Sequence, residues 1–202
     1  MSPRSFTIIK IIVFLGSLLP AVLLVTGVLN DSLGSNPVEA LVRQSGDWAL
    51  RFLLLTLAIS PLRKLTGQAY WLRLRRMLGL YTFFYASMHV SLYIGLDKFF
   101  YWQEILEDIY KRPFITIGLL SFLLLIPLAI TSTQNMIKRL GRNWLRLHRM
   151  IYLISILAVL HFYMLVKADT QEPWIYILIL IFLLAFRWPQ LRKFIPVRAR
   201  NI

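Results

Sequence analysis

Cysteine is absent from the 202 residues, which excludes disulfides, thiolate metal sites and covalent attachment of a c-type haem. Acidic residues are scarce, nine against 23 lysines and arginines, and there are only three histidines. No GxGxxG turn occurs in a strand–helix setting, so nicotinamide binding by this chain is not expected. No linker, low-complexity tract or soluble domain interrupts the sequence, and its longest polar-rich connections are about 16 residues. In their place the chain is 58% hydrophobic and 14% aromatic, a composition foreign to soluble domains of this size.

The apolar residues come in runs. Crossing a bilayer takes roughly 20 of them, and the stretches 7–29, 78–96, 114–131, 151–166 and 174–186 approach or reach that length. A shorter run, 48–60, carries Arg51 one turn in. In lipid every backbone polar group needs an internal partner, so such runs are helices or barrel strands. They lack the period-two alternation of barrel strands, which leaves helices.

The net charge of +14 raises the possibility of nucleic acid, and its distribution argues against that partner. With six spans and both termini cytoplasmic, the inner side holds Arg4 and Lys10, then Arg63, Lys64, Arg73, Arg75 and Arg76. It also holds Lys138, Arg139, Arg142, Arg146 and Arg149, then Arg187, Arg192, Lys193, Arg198 and Arg200. These are 17 of the 23 basic residues, while all nine acids fall on the other side. That is a positive-inside signal, not a nucleic-acid surface. It also requires the short second run to cross, since otherwise the cluster from Arg63 to Arg76 moves outside. Arg51 is then expected to snorkel to the outer headgroups. Trp48, Trp71, Trp102, Trp144, Trp174 and Trp188 sit at or near the expected boundaries, where indole rings prefer to lie.

The fold expected is an all-α membrane protein, a six-transmembrane helix bundle forming a single domain over 1–202. Its helices are expected near 7–29, 47–62, 74–96, 113–131, 145–167 and 173–188. The first is read as a retained helix, because no small-residue cleavage site follows it. Pro113 and Pro173 suit helix starts, whereas Pro20 and Pro127 are expected to kink helix interiors. The segment 99–110, "FFYWQEILEDIY", is either a short amphipathic helix on the outer surface or an amphipathic loop.

All three histidines, His89, His148 and His161, fall within expected spans, where an ionisable side chain suggests function. The alternative is a histidine serving as interhelical glue. The phrase "WLRLRRM" (71–77) recurs as "WLRLHRM" (144–150), with Arg75 against His148. His89 follows Arg75 by 14 residues and His161 follows His148 by 13, steps of about 20 Å along a helix. Helices three and five therefore present two levels, one His/His and one Arg/His. Facing imidazoles in a bundle suit haem b. Zinc would want three or four convergent ligands. Thirteen residues leave His148 and His161 about 140° apart on a straight helix, which calls for a bend or for approach from different sides. Arg75 has two readings: a topology-setting cation reaching headgroups or a haem propionate, or the occupant of a missing fourth ligand position. The competing functions are a histidine-relay transporter and a haem-free anchor.

The blocks "ISPLRKL", "LRRMLGLYTFFYASMH", "KRPFITIG", "TSTQNMIKRLGRNWLRLHRMIYL" and "AVLHFY" resemble the MsrQ (YedZ) family of bacterial inner-membrane haem proteins. More distantly the chain is similar to ferric reductase-like transmembrane domains, from which it departs at Arg75. The resemblance implies one or two haems b, with His89 and His161 at the outer level and His148 at the inner one, and bound flavin mononucleotide (FMN). It also implies a heterodimer with MsrP, a periplasmic molybdenum-containing methionine sulfoxide reductase that repairs oxidised proteins. The expected electron donor is the quinone pool or a cytosolic flavin reductase. No acid–base or molybdenum-ligand constellation is present for sulfoxide reduction, so no terminal catalytic site is expected in this chain.

Overall fold

Each apolar run closes its own backbone hydrogen bonds as a helix, as lipid demands of a spanning segment. The structure is a computed structural model describing residues 3–166 and 171–187, and it contains no strand among them. The helices are α1 (Pro3–Leu29), α2 (Pro37–Thr66), α3 (Trp71–Leu92), α4 (Trp102–Lys111), α5 (Pro113–Ile130), α6 (Gln134–Leu140), α7 (Arg142–Leu147), α8 (Met150–Leu165) and α9 (Gln171–Ala185). A π-helical turn, Tyr93–Asp97, extends α3. Asp169, Trp188 and the basic cluster Arg192, Lys193, Arg198 and Arg200 lie outside the described residues.

The surface is apolar and much of the polarity is inside. Leu15, Leu178 and Phe182 are each about 60% exposed, whereas Ser17, Thr56, Thr82, Ser121 and Ser155 are buried. Small hydroxyl residues at helix contacts and aliphatic side chains outside are the arrangement lipid favours. Three helical segments, Arg4–Leu29, Pro113–Ile130 and Arg142–Leu165, are long and apolar enough to cross a membrane, and Gln171–Ala185 is a shorter apolar helix. This is a membrane protein.

Two antiparallel pairs, α2 with α3 and α5 with α8, make the most extensive helix contacts. The first is a hairpin turned at Gly67, whose φ of 70° caps α2 in the left-handed region that glycine enters without steric cost. Phe52 of α2 stacks on Tyr85 of α3 with ring centres 5.2 Å apart and planes 7° apart. The Tyr85 hydroxyl then enters α1 beside Pro20. It donates to the Ser17 carbonyl at 2.7 Å and accepts from the Ala21 amide at 3.1 Å. A side chain inserted into the backbone ladder is one of the recognised origins of helix distortion.

Pro61 lies inside α2, and its missing N–H orphans the carbonyl of Leu57 one turn earlier. Arg187 supplies the donor. Its Nη2 reaches Leu57 O at 2.5 Å and its Nη1 reaches the Tyr152 hydroxyl at 2.9 Å. Arg187, assigned to the inner charge cluster by sequence, is thus 2% exposed and ties α2 to α8. Arg51 likewise turns sideways: its guanidinium lies 4.7 Å over Trp48 and its Nε donates to Tyr176 of α9 at 3.1 Å.

The segment 99–110 resolves as helix α4 over most of its length, organised around Asp108. This carboxylate is 7% exposed and accepts from Lys98 at 2.8 Å, Arg112 at 3.1 Å and the Tyr93 hydroxyl at 2.9 Å. Burial opposes its charge, but the bonds from Lys98 and Tyr93 and the charges of Lys98 and Arg112 outweigh that. Its carboxyl is held below the usual carboxylate range. The cluster ties the end of α3, four residues beyond His89, to the start of α5, two residues before Phe114.

Candidate functional site

His89 projects from α3 and His161 from α8. Each is oriented by a backbone carbonyl of its partner helix: His89 Nδ1 lies 2.8 Å from Val42 O on α2, and His161 Nδ1 lies 2.7 Å from Phe114 O on α5. A carbonyl only accepts, so both Nδ1 atoms carry the proton and Nε2 is the nitrogen left to coordinate. The same bond sets each ring's orientation and raises its basicity as a ligand.

The two rings face each other across the helix pairs, with centres 6.3 Å apart and planes 72° apart. An imidazole nitrogen sits about 2.0 Å from a bound metal, with its ring centre about 1.1 Å further back, so two axial imidazoles place their centres about 6 Å apart. The spacing fits a single metal between them. Among the described residues no group of three or more His, Cys, Asp or Glu side chains converges as a metal cluster. Two imidazoles at this spacing, with no carboxylate, would suit iron in a porphyrin.

His148 is placed differently. It falls at the interruption between α7 and α8, where the Arg149 amide bonds Arg146 O at 3.3 Å and the Tyr152 amide bonds Arg149 O at 3.1 Å, both three-residue spans. Residues wound this way turn 120° instead of 100°, which recovers about 40° of the ~140° offset from His161. Both histidines now meet α5, His161 at Phe114 and His148 at Thr131. The Thr131 hydroxyl lies 3.0 Å from His148 Nε2, and the imidazole stacks on Trp144 with centres 4.0 Å apart. Trp144 Nε1 in turn donates to the Thr131 carbonyl at 2.9 Å.

Arg75 does not meet a second imidazole. It lines, with His148, Trp144 and Thr56, a cavity of about 640 Å³ whose wall also carries Lys10, Arg73 and Arg76. Four cations surround it with no carboxylate in the lining, an environment for an anionic group. The structure therefore brings His89 and His161 together and sets Arg75 with His148 in a separate chamber. Sequence reasoning missed the carbonyls of Val42 and Phe114 and the Thr131–Trp144 support. Backbone acceptors leave no trace in residue type.

Residues 45–159 match the family model of the ferric reductase like transmembrane component. A protein of Xanthomonas campestris pv. campestris (strain B100), named "Protein-methionine-sulfoxide reductase heme-binding subunit MsrQ", is 58% identical over 163 residues, 80% of this chain and 75% of its own. The chain belongs to the MsrQ family. A relative of the same name from Herminiimonas arsenicoxydans is 48% identical over 189 residues, 92% of this chain and 87% of its own. Another, from Xanthomonas euvesicatoria pv. vesicatoria (strain 85-10), is 58% identical over 163 residues. No solved structure matches. The family match begins at Ser45 and ends at Val159, so it spans His89, His148 and Arg75 and stops two residues before His161.

Proposed function

We propose that the chain is the haem-bearing membrane subunit of a methionine sulfoxide reductase system, carrying electrons across the bacterial inner membrane to a periplasmic MsrP. The observation that carries this reading is the 6.3 Å spacing of His89 and His161 with both Nδ1 atoms bonded to carbonyls. Haem b held there would supply a one-electron carrier. His89 and His161 would hold it through Nε2, while the carbonyls of Val42 and Phe114 keep Nδ1 as the protonated nitrogen of each ring.

In this reading the bundle has six spans with both termini cytoplasmic, and α2 and α3 cross despite their arginines. Tyr176 and Trp48 engage the Arg51 guanidinium, and Leu57 O and Tyr152 accept from the two terminal nitrogens of Arg187. The Arg75–His148 chamber is the inner station, with His148 as the imidazole for a second haem. Arg75 would serve such a haem as a counter-charge, since a permanently protonated guanidinium is a poor iron ligand. The donor, the quinone pool or a cytosolic flavin reductase, and the FMN enter from the family resemblance. Lys10, Arg73 and Arg76 at the chamber suit an anionic donor or cofactor. The outer acids present the opposite charge to MsrP.

The test is the pigment. Protein purified from cells able to make protohaem is expected to show a reducible low-spin b-type spectrum, with His89→Ala and His161→Ala each losing the outer haem. His148→Ala should spare that haem. Colourless protein, as a histidine-relay transporter or a haem-free anchor would give, overturns the proposal. So does an unchanged spectrum in all three variants.

A further inference from the structure

The carbonyl that holds each outer histidine is followed four residues later by a glycine: Val42 by Gly46, and Phe114 by Gly118. Each glycine precedes its histidine by 43 residues, so carbonyl, glycine and imidazole recur together at an offset of 72. The two sites are built alike on separate helix pairs. The reason for glycine lies in helix geometry. A carbonyl of residue i points along the axis toward residue i+4, whose side chain would cover its free lone pair. With glycine there, the carbonyl stays open to a donor from the neighbouring helix. The imidazole ring fills the space a side chain would take. A Cβ on Gly118 would lie 2.7 Å from His161 Nδ1 and 2.8 Å from its Cε1. A Cβ on Gly46 would lie 3.0 Å from His89 Nδ1 and 3.1 Å from its Cε1.

We propose that Gly46 and Gly118 are positioning residues for the outer haem, which with the carbonyls of Val42 and Phe114 form two matching clasps that hold the axial imidazole planes crossed at the observed 72°. This rests on the reading that haem sits between His89 and His161. A ring gripped on Nδ1 by a carbonyl and on its flank by a glycine backbone cannot rotate about its bond to iron without losing one contact. The clasps therefore set the crossing angle as well as the tautomer. Crossed planes present equivalent π-interactions to the two relevant iron d orbitals and leave them nearly degenerate. Parallel planes split them.

The ferric wild-type protein is therefore expected to give, for the haem that is lost in His161→Ala, a highly anisotropic low-spin electron paramagnetic resonance signal, not a three-line rhombic one. Gly118→Ala is expected to weaken haem retention on the order of tenfold or more, the usual cost of disturbing a ligand's support, and to change that signal. Gly46→Ala, with its looser contact, should shift the signal and midpoint potential while retaining more haem. Gly16→Ala, whose Cβ would meet nothing within 4 Å, is the control for helix substitution itself. Full haem retention in His89→Ala and His161→Ala would overturn the haem reading. Loss in those two, with a rhombic wild-type signal or with Gly118→Ala matching the Gly16→Ala control, would overturn the clasps alone. If Gly118→Ala does not accumulate, the wild-type signal and Gly46→Ala decide the question in the same way.

Discussion

Replacing Arg187 by Met tests whether that arginine is present to serve a carbonyl orphaned by Pro61. The substitution removes the 2.5 Å bond to Leu57 O and the 2.9 Å bond to Tyr152. An unpaired buried acceptor costs about 1–3 kcal/mol, and hydrogen bonds within membrane proteins fall at the low end, averaging about 0.6 kcal/mol. Relief acts in the opposite direction, because the arginine is buried with its Nε unpaired and removing such a charge is often favourable. The net expectation is a loss of about 1–2 kcal/mol. In a Pro61→Ala background the residue 61 amide can bond Leu57 O directly, and Arg187→Met should then cost less than about 0.5 kcal/mol. Reversible unfolding in mixed micelles, titrated with denaturing detergent for all four members of the cycle, measures the coupling. Costs equal in the two backgrounds to within about 0.5 kcal/mol, the scatter of independent sites, would refute the assignment.

Asp108→Asn should destabilise the outer turn by about 2–3 kcal/mol, since it weakens charge-assisted bonds to Lys98 and Arg112. Because the folded carboxyl is held below its unfolded value, its contribution is complete above about pH 4 and is lost as pH falls through the folded value. Thermal melts from pH 3 to 7 should therefore show a steeper acid limb in wild type than in Asp108→Asn, and identical limbs would contradict this. Tyr85→Phe leaves the Ser17 carbonyl and the Ala21 amide to each other in the turn of α1 that holds Pro20. A loss of about 1–2 kcal/mol in the micelle assay is expected, and a neutral result would mean the ladder closes unaided.

The helices were legible where hydropathy and helix formation coincide, and obscured where they part. α2 shows the difference. Its apolar run suggested a start near Asp47, but the helix begins ten residues earlier at Pro37. Glu39, Arg43, Gln44 and Asp47 make that first part polar without making it irregular. The start was written in cap chemistry instead: the Asn36 side chain accepts from the Glu39 amide at 3.3 Å and donates to the Glu39 carboxylate at 3.0 Å, with Pro37 at the first helical position. Hydropathy reports where lipid is tolerated, and caps report where a helix begins. For the site, the three histidines stood out because imidazole is rare at depth. Gly46 and Gly118 did not, because a glycine in a helix has many uses and only its spacing to a histidine singles it out.

That spacing also explains the repeated phrase. Trp71–Met77 and Trp144–Met150 recur at an offset of 73, whereas the carbonyls, glycines and outer histidines recur at 72. The odd residue lies between His148 and His161, and losing one residue from a helix rotates everything beyond it by about 100°. The tightened turn at His148–Arg149 is where the winding changes, and it takes up about 40° of that rotation. Moving the irregularity there leaves the outer level paired and releases the inner one from the same symmetry. His148 is then free to stack on Trp144 and bond Thr131, while Arg75 lines the same chamber. The single changed letter in the phrase thus lies at the inner level, below the outer site where carbonyl, glycine and histidine recur at one spacing.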